Sequence, residues 1–131
     1  MLKGSCICGG AGWHFDAWPE GATICNCTIC RHYGVVWIYG HEGEDVGLIG
    51  ETRIFKTSTG WLEFHFCPSC ACVLAWRGVH VEDDGRRRLA VNLRLSEDQD
   101  IIRPIPLDLF DGATTFEDLP RDGRTVGDLL V

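Results

Sequence analysis

Residues 66–72 read Phe-Cys-Pro-Ser-Cys-Ala-Cys, and this stretch decides how the chain is read. Cys67 and Cys70 have two residues between them, with Pro68 fixing one φ angle of the turn. Two sulfurs on so tight a turn can face one ion. Upstream lie Cys6 and Cys8, spaced C-x-C among glycines that let the backbone turn, and then Cys25, Cys27 and Cys30. Cys72 completes a set of eight cysteines. Short groups of thiols converging on tetrahedral zinc are one reading of this pattern. A disulfide framework is the other, and it needs an oxidising compartment. The close pairs favour zinc.

The surrounding composition is compatible with that choice. A chain of 131 residues suggests one domain spanning 1–131. A domain of this size buries roughly two-thirds of its unfolded surface, so its core does not depend on disulfides. The apolar fraction of 45% and charged fraction of 24% are ordinary for a globular domain. The N-terminus, Met-Leu-Lys-Gly-Ser, reaches Cys6 without an apolar signal segment. No apolar run approaches the roughly 18 residues of a membrane span. A cytoplasmic protein with no membrane partner is therefore expected, and there thiols stay reduced or hold metal. The net charge of −7 argues against a nucleic-acid partner, which requires a basic field. The one basic run, Arg86-Arg87-Arg88, follows Asp84-Gly85 and reads as a solvated hairpin end.

Periodicity predicts a run of short strands, and hence an all-β domain. Residues 11–16 alternate, with Trp13 and Phe15 on one face. Thr28 to Arg31 suits a short helix with Thr28 as N-cap and Gly34 beyond its end. Val35 to Tyr39, Thr52 to Thr57 and Trp61 to Phe66 read as strands, whereas Val46 to Ile49 is too short to assign. Val73 to Val81 and Arg88 to Leu95 read as a hairpin about Asp84-Gly85, with Leu89, Val91, Leu93 and Leu95 pointing one way. Pro104 and Pro106 suit an edge or loop, and Thr125 to Leu130 a closing helix.

Eight thiols exceed one tetrahedral shell. The grouping suggests that Cys6, Cys8, Cys67 and Cys70 form one closed site, which ties distant parts of the chain together and contributes folding energy. Cys25, Cys27 and Cys30 then form a second site with a position left open, the pattern of a catalytic zinc. A thiol is the natural fourth ligand, because a thiolate-rich zinc is a modest Lewis acid that still stabilises a bound thiolate. Arg31, beside Cys30, would offset negative charge or meet a substrate carboxylate, or else be a plain surface charge. The rival is a fourth ligand from the chain itself, Cys72 first and His32 second. Both zincs would then be structural and the domain a zinc-stabilised binding module without catalysis.

The motifs Gly4-Ser5-Cys6-Ile7-Cys8-Gly9, Cys25-Asn26-Cys27-Thr28-Ile29-Cys30-Arg31 and Phe66-Cys67-Pro68-Ser69-Cys70 stand in one order along the chain. With Ser58-Thr59-Gly60 and Val91 to Asp98, they resemble the glutathione-dependent formaldehyde-activating enzyme family, also called the GFA or CENP-V domain family. The resemblance implies a mainly β, Mss4-like fold of small coiled sheets. It implies a structural zinc on Cys6, Cys8, Cys67 and Cys70, and a second, catalytic zinc on Cys25, Cys27 and Cys30. The implied activity is that of a carbon–sulfur lyase, which combines a small thiol such as glutathione with formaldehyde. Two positions depart from the family's habit: Asn26 stands where His is frequent, and Ala71 where Gly is usual.

Overall fold

Apolar alternation in the sequence becomes a set of short strands, each too brief to bury its face alone. The computed structural model describes residues 1–130. Strands β1 (Leu2–Ser5), β2 (Ala11–Phe15) and β5 (Val46–Gly50) form a small sheet in the order β1-β2-β5. The larger sheet contains β3 (Ala22–Cys25), β4 (Trp37–His41), β6 (Arg53–Lys56), β7 (Leu62–Phe66), β8 (Val73–Gly78) and β9 (Arg88–Asn92). It is completed by β10 (Leu107–Asp111) and β11 (Glu117–Leu119), and its order is β11-β10-β3-β4-β9-β8-β7-β6. One helix, α1 (Thr28–Tyr33), links β3 to β4. The chain is mainly β, as expected of an Mss4-like fold.

Most of the expected elements form, with corrections at their ends. The helix is capped by Cys27, not Thr28, because the Cys27 sulfur accepts a hydrogen bond from the Cys30 N–H. Gly34 closes it in the left-handed conformation at φ 65°. Residues 46–49, left unassigned from sequence, belong to β5, whose pairing with β2 supplies what its length lacks. The arm expected to run from Arg88 to Leu95 ends at Asn92, and Leu93–Leu95 is a 3-10 turn. Asn92 causes the break: its side-chain oxygen accepts from the Val36 and Arg94 N–H groups, and its amide donates to the Val73 carbonyl. The closing helix forms as a 3-10 turn at Val126–Leu129, with the Asp128 carboxylate accepting from the Thr125 N–H at 2.8 Å.

Two apolar clusters cover the two faces of the large sheet. One includes Trp13, Ile38, Leu74, Leu89, Val91 and Leu107 and joins the small sheet to the large one. The Trp13 indole reaches across to donate to the Asn92 carbonyl at 3.1 Å. The other gathers Trp37, Phe64, Trp76 and Ala90 against Cys30. This second cluster explains why Ala90 is buried alongside Leu89 and Val91, where alternation alone predicts one buried face. Each large side chain so buried contributes about 1.5–3 kcal/mol.

Candidate functional site

The N-terminal turn and the turn between β7 and β8 bring four sulfurs together. Ligand atoms of Cys6, Cys8, Cys67 and Cys70 all lie within 4.8 Å of one another. The Cys6–Cys8 and Cys8–Cys67 sulfurs are each 3.6 Å apart, and the eight cysteines are free thiols. Zn–S bonds of about 2.3 Å in a tetrahedron place sulfurs about 3.8 Å apart, so this donor set fits zinc in both spacing and softness. Backbone N–H groups of Ala11 and Gly10 point at the Cys6 and Cys8 sulfurs, 3.4 Å from each. The backbone N–H groups of Cys72 and Cys8 lower the Cys70 pKa to about 5. At Cys8 the Gly10 N–H favours the thiolate, but the sulfurs of Cys6 and Cys67 outweigh it and raise the pKa to about 12. Four adjacent thiols cannot all ionise unaided; a divalent cation removes the conflict and releases the protons.

The second group is built by β3 and α1. Cys25 ends the strand, Cys27 caps the helix, and Cys30 lies buried in its first turn. Their three sulfurs also lie within 4.8 Å of one another. The Cys27 N–H donates to the Cys25 sulfur at 3.4 Å, and the Trp37 indole N–H donates to the Cys30 sulfur at 3.3 Å. Burial opposes ionisation of Cys27, but N–H groups of Cys30 and Ile29 and the neighbouring sulfurs overcome it, and its pKa falls. Burial pushes the Cys25 and Cys30 thiols up. Three soft donors at this spacing could hold a zinc ion as well.

Among the described residues no fourth Cys, His, Asp or Glu joins this trio. Cys72 lies at the other group, where burial and then Cys70 raise its pKa. His32 is exposed, and its Nδ1 is 2.6 Å from the Thr28 carbonyl oxygen. Arg31 is exposed on α1 and does not line the neighbouring cavity.

The neighbouring cavity has a volume of about 880 Å³, and Cys25, Cys27 and Cys30 all line it. Trp37, Tyr39, Phe64 and Trp76 line it, as do Trp61, Phe110 and Phe116. Arg88 is its cation and Asp118 its carboxylate. The Arg88 guanidinium lies 5.5 Å from the ring centres of both Tyr39 and Trp76. Burial raises the Tyr39 phenol to about 12, so its hydroxyl keeps its proton at neutral pH.

The loop after β10 closes the cavity beside the trio, a contribution that local sequence did not signal. A side chain at Gly112 would meet the Cys25 sulfur at 2.6 Å and the Cys27 Cβ at 3.0 Å, so only glycine lets the loop approach. Asn26 holds that loop: its amide donates to Asp111 at 3.0 Å, and its oxygen accepts from the Ala113 N–H at 2.9 Å. The amide at the position where His is frequent therefore has a local use on both of its ends.

No curated protein matches the chain. Among solved structures, a protein of Rhodobacter sphaeroides determined as a structural-genomics target superposes with a TM-score of 0.60 at 18% identity. The match covers 80% of this chain and 98% of that one, which establishes a shared fold. The family model described as glutathione-dependent formaldehyde-activating enzyme matches residues 1–110, in which both cysteine groups lie, and the chain belongs to that family.

Proposed function

We propose that this chain forms or cleaves a carbon–sulfur bond between a thiol and a small aldehyde, with Cys25, Cys27 and Cys30 holding a catalytic zinc. The observation that carries this reading is the trio itself: three convergent sulfurs in the wall of a cavity, with no fourth ligand from the described chain. In this reading Cys6, Cys8, Cys67 and Cys70 hold a purely structural zinc, because four protein sulfurs leave no position for a substrate. Glutathione and formaldehyde are the reactants that family membership suggests.

A zinc held by Cys25, Cys27 and Cys30 would supply a Lewis-acidic position that favours the thiolate form of a thiol substrate. The chain's own groups do the rest. The Trp37 N–H and the backbone N–H groups disperse the charge on the cysteine sulfurs. The aromatic wall gives the sulfur–carbon contact an apolar setting. In the forward direction the thiol loses its proton, sulfur bonds to the aldehyde carbon, and the carbonyl π electrons move to oxygen, which takes up a proton. The product is an S-hydroxyalkyl thiol adduct. Tyr39 brings a protonated hydroxyl into the lining of the same cavity and is the donor this reading assigns to that oxygen.

The test is sulfur ligation, read by optical spectroscopy after Co(II) replaces zinc. Adding glutathione or another small thiol is expected to increase the sulfur-to-cobalt charge-transfer band in the native protein. Cys27→Ser is expected to abolish that increase while leaving the far-UV circular dichroism intact. No response to any thiol at millimolar concentration overturns the reading and leaves a zinc-stabilised binding module.

A further inference from the structure

The walls of the cavity say more about the substrate than its sulfurs do. A volume of about 880 Å³ far exceeds what a small aldehyde and a thiol group occupy. Two of its aromatic residues remain open to solvent: Phe116 is 75% and Trp61 is 65% exposed. Phe116 is also held in the left-handed region at φ 56°, where an L residue is strained, with its ring edge-on to Phe110 at 4.9 Å. Exposed aromatic rings around one cavity, one of them on a strained backbone, suit a partner that covers them.

Charge narrows the partner. Glutathione carries two carboxylates and an ammonium group, whereas the cavity offers one cation, Arg88, and one carboxylate, Asp118. Arg77, Arg86, Arg121 and Arg124 are each paired with a carboxylate. Arg88 forms no such pair among the described residues, and its guanidinium is held by the two rings beneath it. A guanidinium fixed by stacking and free of a carboxylate partner is prepared to take one anion. Elsewhere the chain is acidic, with a net charge of −7, and repels further negative charge.

We propose that the cavity selects an aromatic thiol bearing a single carboxylate, with its sulfur at the trio, its ring among the aromatic walls and its carboxylate on Arg88. This rests on the thiol reading above and narrows the substrate class within it.

Four probes separate the parts in calorimetric titrations of the zinc-loaded protein, with cobalt spectra as a second readout. They are para-(mercaptomethyl)benzoate, benzyl mercaptan without the anion, para-toluate without the sulfur, and glutathione without the ring. The first is expected to bind at least about tenfold more tightly than each of the others, a difference of about 1.4 kcal/mol. Arg88→Gln is expected to erase its advantage over benzyl mercaptan. Phe116→Ala is expected to weaken both aromatic thiols and spare glutathione. Glutathione binding as tightly as para-(mercaptomethyl)benzoate to the native protein overturns the selectivity and leaves the thiol reading standing. Equal binding of para-(mercaptomethyl)benzoate and para-toluate, without a cobalt–sulfur band from any thiol, overturns the thiol reading itself.

Discussion

Ala71 occupies a position that glycine fills at less cost. Its φ is 65°, and its N–H closes the turn onto the Cys67 carbonyl at 2.9 Å. An L residue in this region is strained by roughly 1–2 kcal/mol, while glycine loses about 0.5–1 kcal/mol more chain entropy on folding. Ala71→Gly is therefore expected to stabilise the zinc-loaded protein by about 0.5–1 kcal/mol, raising the thermal midpoint by roughly 2–4 °C. Scanning calorimetry checks it, and a lowered midpoint contradicts the strain. The cysteines themselves were readable in sequence, because few other side chains suit a soft metal at such spacing. The groups that serve them were not. Trp37 is seven residues from Cys30 and reads as an ordinary strand aromatic until folding aims its N–H at that sulfur. Cys27 as helix cap was hidden for a related reason: Thr28 is the better cap by residue type, but the sulfur is already fixed beside the Cys30 N–H.

At the scale of elements, β10 and its following loop are the part that local pattern concealed. Pro104 and Pro106 marked the region as loop or edge, and β10 starts immediately after them as the parallel neighbour of β3. Its pairing partners, Ala22 to Cys25, lie more than eighty residues earlier, a relation that periodicity cannot express. The antiparallel neighbours β6, β7, β8 and β9 follow one another along the chain, and their strands were therefore legible. The hidden element matters to the site because it carries Gly112 against the trio. Gly112→Ala is expected to weaken metal binding at Cys25, Cys27 and Cys30 by about tenfold or more, since the added methyl must displace a ligand sulfur or the loop. The other four-sulfur group, on the turns beside β1 and β7, is expected to keep its affinity. Competition with a chromophoric chelator resolves the two sites, and an equal loss at both contradicts the assignment.

At the scale of the whole molecule, the four-sulfur group joins the two sheets. Cys6 and Cys8 sit in the turn between β1 and β2 of the small sheet, while Cys67 and Cys70 sit in the turn between β7 and β8 of the large one. Side-chain packing around Trp13, its hydrogen bond to the Asn92 carbonyl and the backbone contacts of the 3-10 turn after β9 also connect the two sheets. Structural zinc in small peptides contributes about 10–16 kcal/mol, comparable to the entire 5–15 kcal/mol stability of a typical domain. Losing an ion held by the four-sulfur group should therefore remove cooperative folding, whereas losing one held by the trio, which lies on a single interior strand of the large sheet and its adjoining helix, should not. Cys70→Ser is expected to abolish the cooperative unfolding transition, and Cys27→Ser to retain it. Graded chelation of the native protein should release one zinc with the circular dichroism unchanged and the second together with the fold. Simultaneous release, or a Cys70→Ser protein that still unfolds cooperatively while Cys27→Ser does not, would reverse the roles of the two centres.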